Sequence, residues 1–71
     1  MSFDYQKLRA KIVEKFGTQD KFAEAYGISR VALSQKMNNK TKFTYNDIVQ
    51  MSKMLDINVD DIGDYFFTNE V

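Results

Sequence analysis

The chain has 71 residues, 44% of them hydrophobic and 28% charged, which is enough apolar material for one folded domain spanning residues 1–71 and too few residues for two. It contains no cysteine and no histidine, which excludes a disulfide framework, a Cys/His zinc site, a thiol nucleophile and an imidazole base; we expect no enzymatic activity, no cofactor and no metal. Ten basic and ten acidic residues give a net charge of zero, and no stretch suits a signal peptide or a membrane span, so we expect a soluble, cytoplasmic protein.

Helix start signals predict an all-α fold of five helices. Such a signal is a side-chain oxygen that can accept a hydrogen bond from a free backbone N–H, with apolar residues on either side of it. For helix 1 we predict Asp4 as the N-cap and Gly17 as the end. The apolar face of this helix then recurs every four residues, at Leu8, Ile12 and Phe16.

Helices 2 and 3 follow one another closely. Thr18 is the predicted cap of helix 2, which ends at Gly27, and Ser29 caps helix 3 only two residues later. Helix 3 extends to about Met37, and a polar loop over residues 38–42 follows it.

Helices 4 and 5 show the same start chemistry. Thr44 with Asp47 three residues later is close to a capping box, and Asn58 is the predicted cap of helix 5. Taking all five helices together, we predict the following buried residues: Leu8, Ile12, Phe22, Ala23, Ile28, Leu33, Ile48, Met51, Leu55 and Ile62, with Phe66 also in the core.

The charge is unevenly distributed along the chain. Residues 25–46 contain four cations, Arg30, Lys36, Lys40 and Lys42, and no acid, whereas residues 47–71 contain six acids and one lysine. Because a polyanion meets a local patch and not the overall sum, the middle segment is the candidate contact for nucleic acid. The acids at the end of the chain are better explained by helix capping than by a metal site.

Residues 18–38, TQDKFAEAYGISRVALSQKMN, resemble a helix-turn-helix motif. The motif needs a small residue where its helices cross, here Ala23, and a glycine at the bend, here Gly27. With one helix before it and two after it, the chain resembles the five-helix DNA-binding domain of the lambda-repressor and Cro-like (XRE-type) family, most closely small prophage regulators. One departure is Lys36, which stands where the family often has an apolar residue, while Met37 takes the inward position.

This resemblance implies a sequence-specific transcriptional regulator, such as a prophage repressor or a Cro-like switch protein, bound to double-stranded DNA at a palindromic operator. Helix 3, at about residues 30–37, is then the recognition helix, and four of its residues are the expected base contacts: Arg30, Val31, Ser34 and Gln35. Five more are the expected phosphate contacts: Gln19, Asn38, Asn39, Lys40 and Lys42.

One recognition helix reads too few base pairs to single out an operator, so the resemblance also implies a homodimer. We expect a weak dimer that is completed on DNA, with Tyr65 and Phe67 at its interface. No small-molecule ligand is expected.

A different class of function remains open from the sequence. The same fold can act as a protein-interaction module, antirepressor-like or antitoxin-like, that does not bind DNA. The acidic last third of the chain would suit contact with a basic protein.

Overall fold

The computed structural model describes residues 3–68, and the all-α prediction is confirmed: these residues form five α-helices and no strand. The helices are α1 (Gln6–Phe16), α2 (Gln19–Tyr26), α3 (Arg30–Met37), α4 (Tyr45–Met54) and α5 (Ile62–Phe66), with a 3₁₀ turn (Val59–Asp61) directly before α5. None of these helices is long and apolar enough to cross a membrane.

Three of the predicted helix caps are confirmed. The hydroxyl oxygens of Thr18 and Ser29 accept hydrogen bonds from backbone amides three residues ahead, at 3.1 and 3.0 Å. Thr44 and Asp47 form a complete capping box, in which each side chain accepts a hydrogen bond from the other residue's amide at 3.0 Å. These bonds satisfy amides that lack a partner within the helix and so fix where α2, α3 and α4 begin.

Two predicted starts were wrong in detail. Helix α1 begins at Gln6 with Tyr5 in the cap position, so Asp4 lies one residue too early to be the N-cap, although its carboxylate still accepts from the Gln6 amide at 2.9 Å. Asn58 makes no side-chain cap bond, and the segment after it is a 3₁₀ turn that only becomes α-helical at Ile62. The last helix is therefore shorter than predicted.

The core lies where the helices converge, and most of its predicted members are buried. Leu8, Ile12, Phe22, Ala23, Leu33, Met51, Leu55 and Phe66 are buried as expected, together with Tyr5, Met37 and Ile57. Ile28, Ile48 and Ile62 were predicted to be buried, but they are only half-buried residues packed against the edge of this core. Ile28 precedes the Ser29 cap of α3, Ile48 lies in the first turn of α4, and Ile62 opens α5, so each covers the start of a helix from outside, as a staple residue does.

The two ends of the described chain meet beside the loop that follows α3. The amide of Asp4 donates to the carbonyl of Thr68 at 2.7 Å. The side chain of Asn39 holds the backbone of Phe3 from both sides, accepting from its amide at 3.0 Å and donating to its carbonyl at 2.9 Å. This clamp fixes the loop at the end of α3 relative to the first residues of the chain.

Candidate binding surface on helices 2 and 3

Helices α2 and α3 are joined by a tight turn that their sequence dictates. Gly27 has φ of 94°, in the left-handed region that costs glycine no steric strain, and its amide donates to the Ala23 carbonyl at 2.9 Å. The buried Ala23 and Leu33 side chains lie in the core beneath the two helices. The turn and the buried pair leave the outer face of α3 directed away from the core.

That outer face forms a shallow depression of about 460 Å³, called here the α2–α3 surface. It includes all four side chains predicted to contact bases and three of the five predicted to contact phosphate. Its lining residues are Gln19, Asp20, Arg30, Val31, Ser34, Gln35, Asn38 and Lys40. Val31 is 60% exposed, which makes it an apolar contact point in a polar surrounding.

An acidic residue also belongs to the α2–α3 surface. The Asp20 carboxylate, in the first turn of α2, lies 3.7 Å from the nearest guanidinium nitrogen of Arg30. Both side chains are largely exposed, at 66% and 76%, so the pair adds little to stability, but the charge of Arg30 is partly compensated at the surface.

Lys36 is not part of the basic patch that the sequence predicts. Its ammonium group donates to the carboxylate of Asp47 at 2.8 Å and to the carbonyl of Lys42 at 3.2 Å, and the two paired side chains are only 16% and 12% exposed. The Tyr26 hydroxyl donates to the other oxygen of the same carboxylate at 2.6 Å. The network links α2, α3 and α4, and it gives the ammonium group of Lys36 partners in the interior of the fold.

The electrostatics of this network follow from its geometry. Burial disfavours the charged form of Asp47, but hydrogen bonds from Lys36, Tyr26 and Thr44 outweigh burial and lower the pKa of the carboxyl to about 2. Burial, reinforced by the hydrogen bond to Asp47 and its negative charge, raises the pKa of Tyr26 to about 12. At neutral pH Asp47 and Lys36 therefore form an ion pair, and the Tyr26 phenol is protonated.

Four of the five residues predicted to contact phosphate form hydrogen bonds within the protein or lie outside the α2–α3 surface. Gln19 accepts a hydrogen bond from the Arg9 guanidinium at 3.0 Å, and the Asn38 amide group donates to the backbone carbonyl and hydroxyl of Ser34. Asn39, with φ of 63°, holds Phe3 as described above, and it lines a second, aromatic depression together with Lys42. Of the five residues, Asn39 and Lys42 thus lie outside the α2–α3 surface.

The two predicted dimer residues lie in different surroundings. Tyr65 is half-buried and packs against the core, with the Lys7 ammonium 5.1 Å from its ring centroid. Phe67 is exposed and meets the Phe3 ring edge-on at 5.8 Å. Phe67 is therefore the more accessible of the two for contact with another molecule.

Three sets of contacts that shape this region are absent from the sequence-based predictions: those of Arg9, those of Asp20, and those of Asp47 with Lys36 and Tyr26. Arg9 and Asp47 are far along the chain from their partners, and nothing in local spacing predicts those contacts. The location of Asp20 could have been predicted from the sequence. An acid two residues after an N-cap lies in the first helical turn, and this turn begins the predicted motif.

Comparison with known proteins agrees with this architecture. The chain is similar to the modulator of repression (MOR) of the temperate bacteriophage TP901-1 from Lactococcus lactis: the two are 42% identical, the solution structure superposes with a TM-score of 0.85, and the match covers 100% of this chain and 96% of that one. No curated protein matches the chain. A family profile matches residues 1–69, so the chain belongs to the family described as "Protein of unknown function (DUF739)".

Proposed function

We propose that this protein regulates a phage repressor system by binding the repressor protein through the α2–α3 surface. The observation that carries the proposal is the 42% identity, over the whole chain, to a phage modulator of repression with the same fold. A protein that modulates repression has the repressor as its natural partner, and we propose that residues 1–71 act as a single domain in making the contact.

The charges of the α2–α3 surface favour a protein partner over DNA. Of the four cations in residues 25–46, Lys36 is paired with the buried Asp47, and the charge of Arg30 is partly compensated by Asp20. Within residues 3–68, Lys40 and Lys42 form no ion pair, and only Lys40 lies on this surface. Affinity for DNA rises with the number of phosphates that cations neutralise, so this surface offers little of what a duplex requires.

An exposed apolar residue within a polar surface supports the same conclusion. Protein interfaces commonly combine a few apolar anchors with a rim of polar side chains. Val31 is the exposed apolar side chain of the α2–α3 surface, and hydrogen-bonding side chains such as Ser34 and Gln35 lie around it.

Direct DNA binding is the second candidate, and the arrangement of α2, the turn and α3 favours it. In that case residues 18–38 act as a helix-turn-helix: Arg30 and Gln35 read guanine and adenine edges, while Val31 and Ser34 complete the base contacts. A palindromic operator would require a dimer, with Phe67 as the accessible residue for its interface.

Calorimetric titration against the repressor encoded with this protein tests the first candidate. Val31→Glu should weaken the complex by about tenfold or more, because it puts a charge at the centre of the contact. Val59→Glu is the matched control, since Val59 is also exposed, at 79%, but lies on the 3₁₀ turn. Equal effects of the two substitutions would refute this assignment of the surface.

Fluorescence anisotropy with operator and random duplexes, at 50 and 200 mM salt, tests the second candidate. If the protein reads DNA, Arg30→Ala should cost about 1–3 kcal/mol on the operator and relax the preference at one base pair. Lys42→Ala should weaken binding to all duplexes alike and reduce the salt slope by about 1. Absence of salt-dependent binding to either duplex would exclude DNA as the ligand.

A further inference from the structure

The position of Asp20 gives the α2–α3 surface a property that the motif alone does not have. Asp20 lies in the first turn of α2, next to Gln19, and its carboxylate is 66% exposed. The free amides at this end of a helix attract an anion, and here the protein supplies that anion itself. A phosphate that approached Gln19 would therefore meet a fixed negative charge.

The same carboxylate limits what Arg30 can do. With 3.7 Å between the guanidinium and the carboxylate, Arg30 would have to leave Asp20, or bring it along, to bind a guanine edge or a phosphate. A protein surface that presents a cation beside an anion has no such conflict, because its cation can bind Asp20 while its anion binds Arg30.

The other charged groups around this position do not reverse its preference. Arg9 donates to Gln19, the chain neighbour of Asp20, at 3.0 Å, and Lys40 lines the same depression, so both add positive charge to this region. Neither forms an ion pair with Asp20, whose side chain is 66% exposed. The surface thus carries charges of both signs, as a protein interface does, and Asp20 lowers the positive potential that a phosphate backbone would meet.

We propose that Asp20 is a specificity-determining residue, whose carboxylate sets the preference of the α2–α3 surface for a protein partner with a lysine or arginine side chain over duplex DNA. This inference rests on the proposed function and deepens it. A repulsive group against the wrong ligand, combined with an attractive one for the right ligand, is a common way to obtain specificity.

The test uses the full chain as wild type, as Asp20→Asn and as Asp60→Asn. Asp60 is an exposed acid on the 3₁₀ turn, outside the α2–α3 surface, so its substitution makes the same change in net charge elsewhere. Circular dichroism melts verify that both variants are folded. Binding to a labelled 20-base-pair random duplex is measured by anisotropy, and binding to the repressor is measured by calorimetry.

Asp20→Asn should tighten the DNA complex by about two- to tenfold at 50 mM salt and steepen its salt dependence, and it should weaken the repressor complex by a similar factor. Asp60→Asn should change both affinities by less than about twofold. Equal gains in DNA affinity for the two variants, or an unchanged repressor affinity in Asp20→Asn, would overturn the role of Asp20.

The outcomes also separate this inference from the proposed function. A wild-type protein that bound duplex DNA and no repressor would overturn the proposed function. In that case, tighter DNA binding by Asp20→Asn but not by Asp60→Asn would still support the claim that Asp20 discriminates against DNA. Unchanged DNA binding by Asp20→Asn would overturn that claim as well.

Discussion

The buried ion pair between Lys36 and Asp47 should supply a large part of the folding stability. We choose Asp47→Asn, which keeps the size of the side chain but removes its charge. One carboxylate oxygen accepts from Lys36 at 2.8 Å and from the Thr44 amide at 3.0 Å, and the other accepts from Tyr26 at 2.6 Å. An amide has one acceptor oxygen, so the substitution leaves at least one of these donors facing an NH₂ group.

The magnitude follows from the pKa. Lowering the Asp47 pKa from 3.8 to about 2 corresponds to roughly 2–3 kcal/mol of stability at pH 7. Leaving the mostly buried Lys36 ammonium without its carboxylate raises the expected cost to about 3 kcal/mol. A chain of this length has a free energy of unfolding of about 4–10 kcal/mol, so Tm should fall by roughly 10–20 °C.

Urea unfolding followed by circular dichroism measures this loss, and its pH dependence identifies the cause. Because the pKa of Asp47 is lower in the folded state, its contribution is complete above about pH 4 and disappears as the pH falls through about 2. The stability difference between wild type and Asp47→Asn should therefore shrink over that range. Asp60→Asn, at an exposed acid, should cost less than about 0.5 kcal/mol.

Lys36→Met gives a second view of the same pair. It removes the cation but leaves Asp47 with the hydrogen bonds from Tyr26 and Thr44, so we expect a smaller loss of about 1–2 kcal/mol. The double variant should lose less than the sum of the two single losses. Additive losses, or an Asp47→Asn deficit that stays constant from pH 7 to pH 2, would refute the reasoning.

Four further results are expected. Ala23→Leu should cost about 1–3 kcal/mol in urea unfolding, because the buried Ala23 has no room for a larger side chain, while leucine at the exposed Ala25 should be nearly neutral. Thr44→Ala should cost about 1 kcal/mol through loss of the capping bond, and an unchanged Tm would contradict that role. The raised pKa of Tyr26 stabilises the fold fully below about pH 10, and this contribution is lost as the pH rises through 12; Tyr26→Phe should abolish that alkaline component in pH-dependent melts. Sedimentation should find mostly monomer at micromolar concentration. Phe67→Asp should remove cooperative binding to a full operator without changing half-site affinity, and unchanged cooperativity would exclude Phe67 from the dimer interface.

The helices and most of the core could be predicted from the residues alone. Thr18, Ser29 and Thr44 act on amides only three residues ahead, so the start of each helix depends on a few neighbours and can be read from them. The start of α1 was harder to predict, because Asn39 and Thr68 bind the backbone of Phe3 and Asp4, just before its first turn. Even the correct acceptor, Asp4, was therefore assigned to the wrong position.

The charge of the candidate surface, in contrast, depends on how the helices pack against one another. The sequence places four cations together in residues 25–46, but the carboxylate partners of two of them lie outside that segment: Asp47 is 11 residues from Lys36, and Asp20 lies on the preceding helix from Arg30. An electrostatic interaction depends on distance in space, and local spacing does not give that distance until the helices are packed. For this reason the bounds of α3 were correctly predicted from the sequence, while the balance between DNA and a protein as its partner depends on contacts that folding creates.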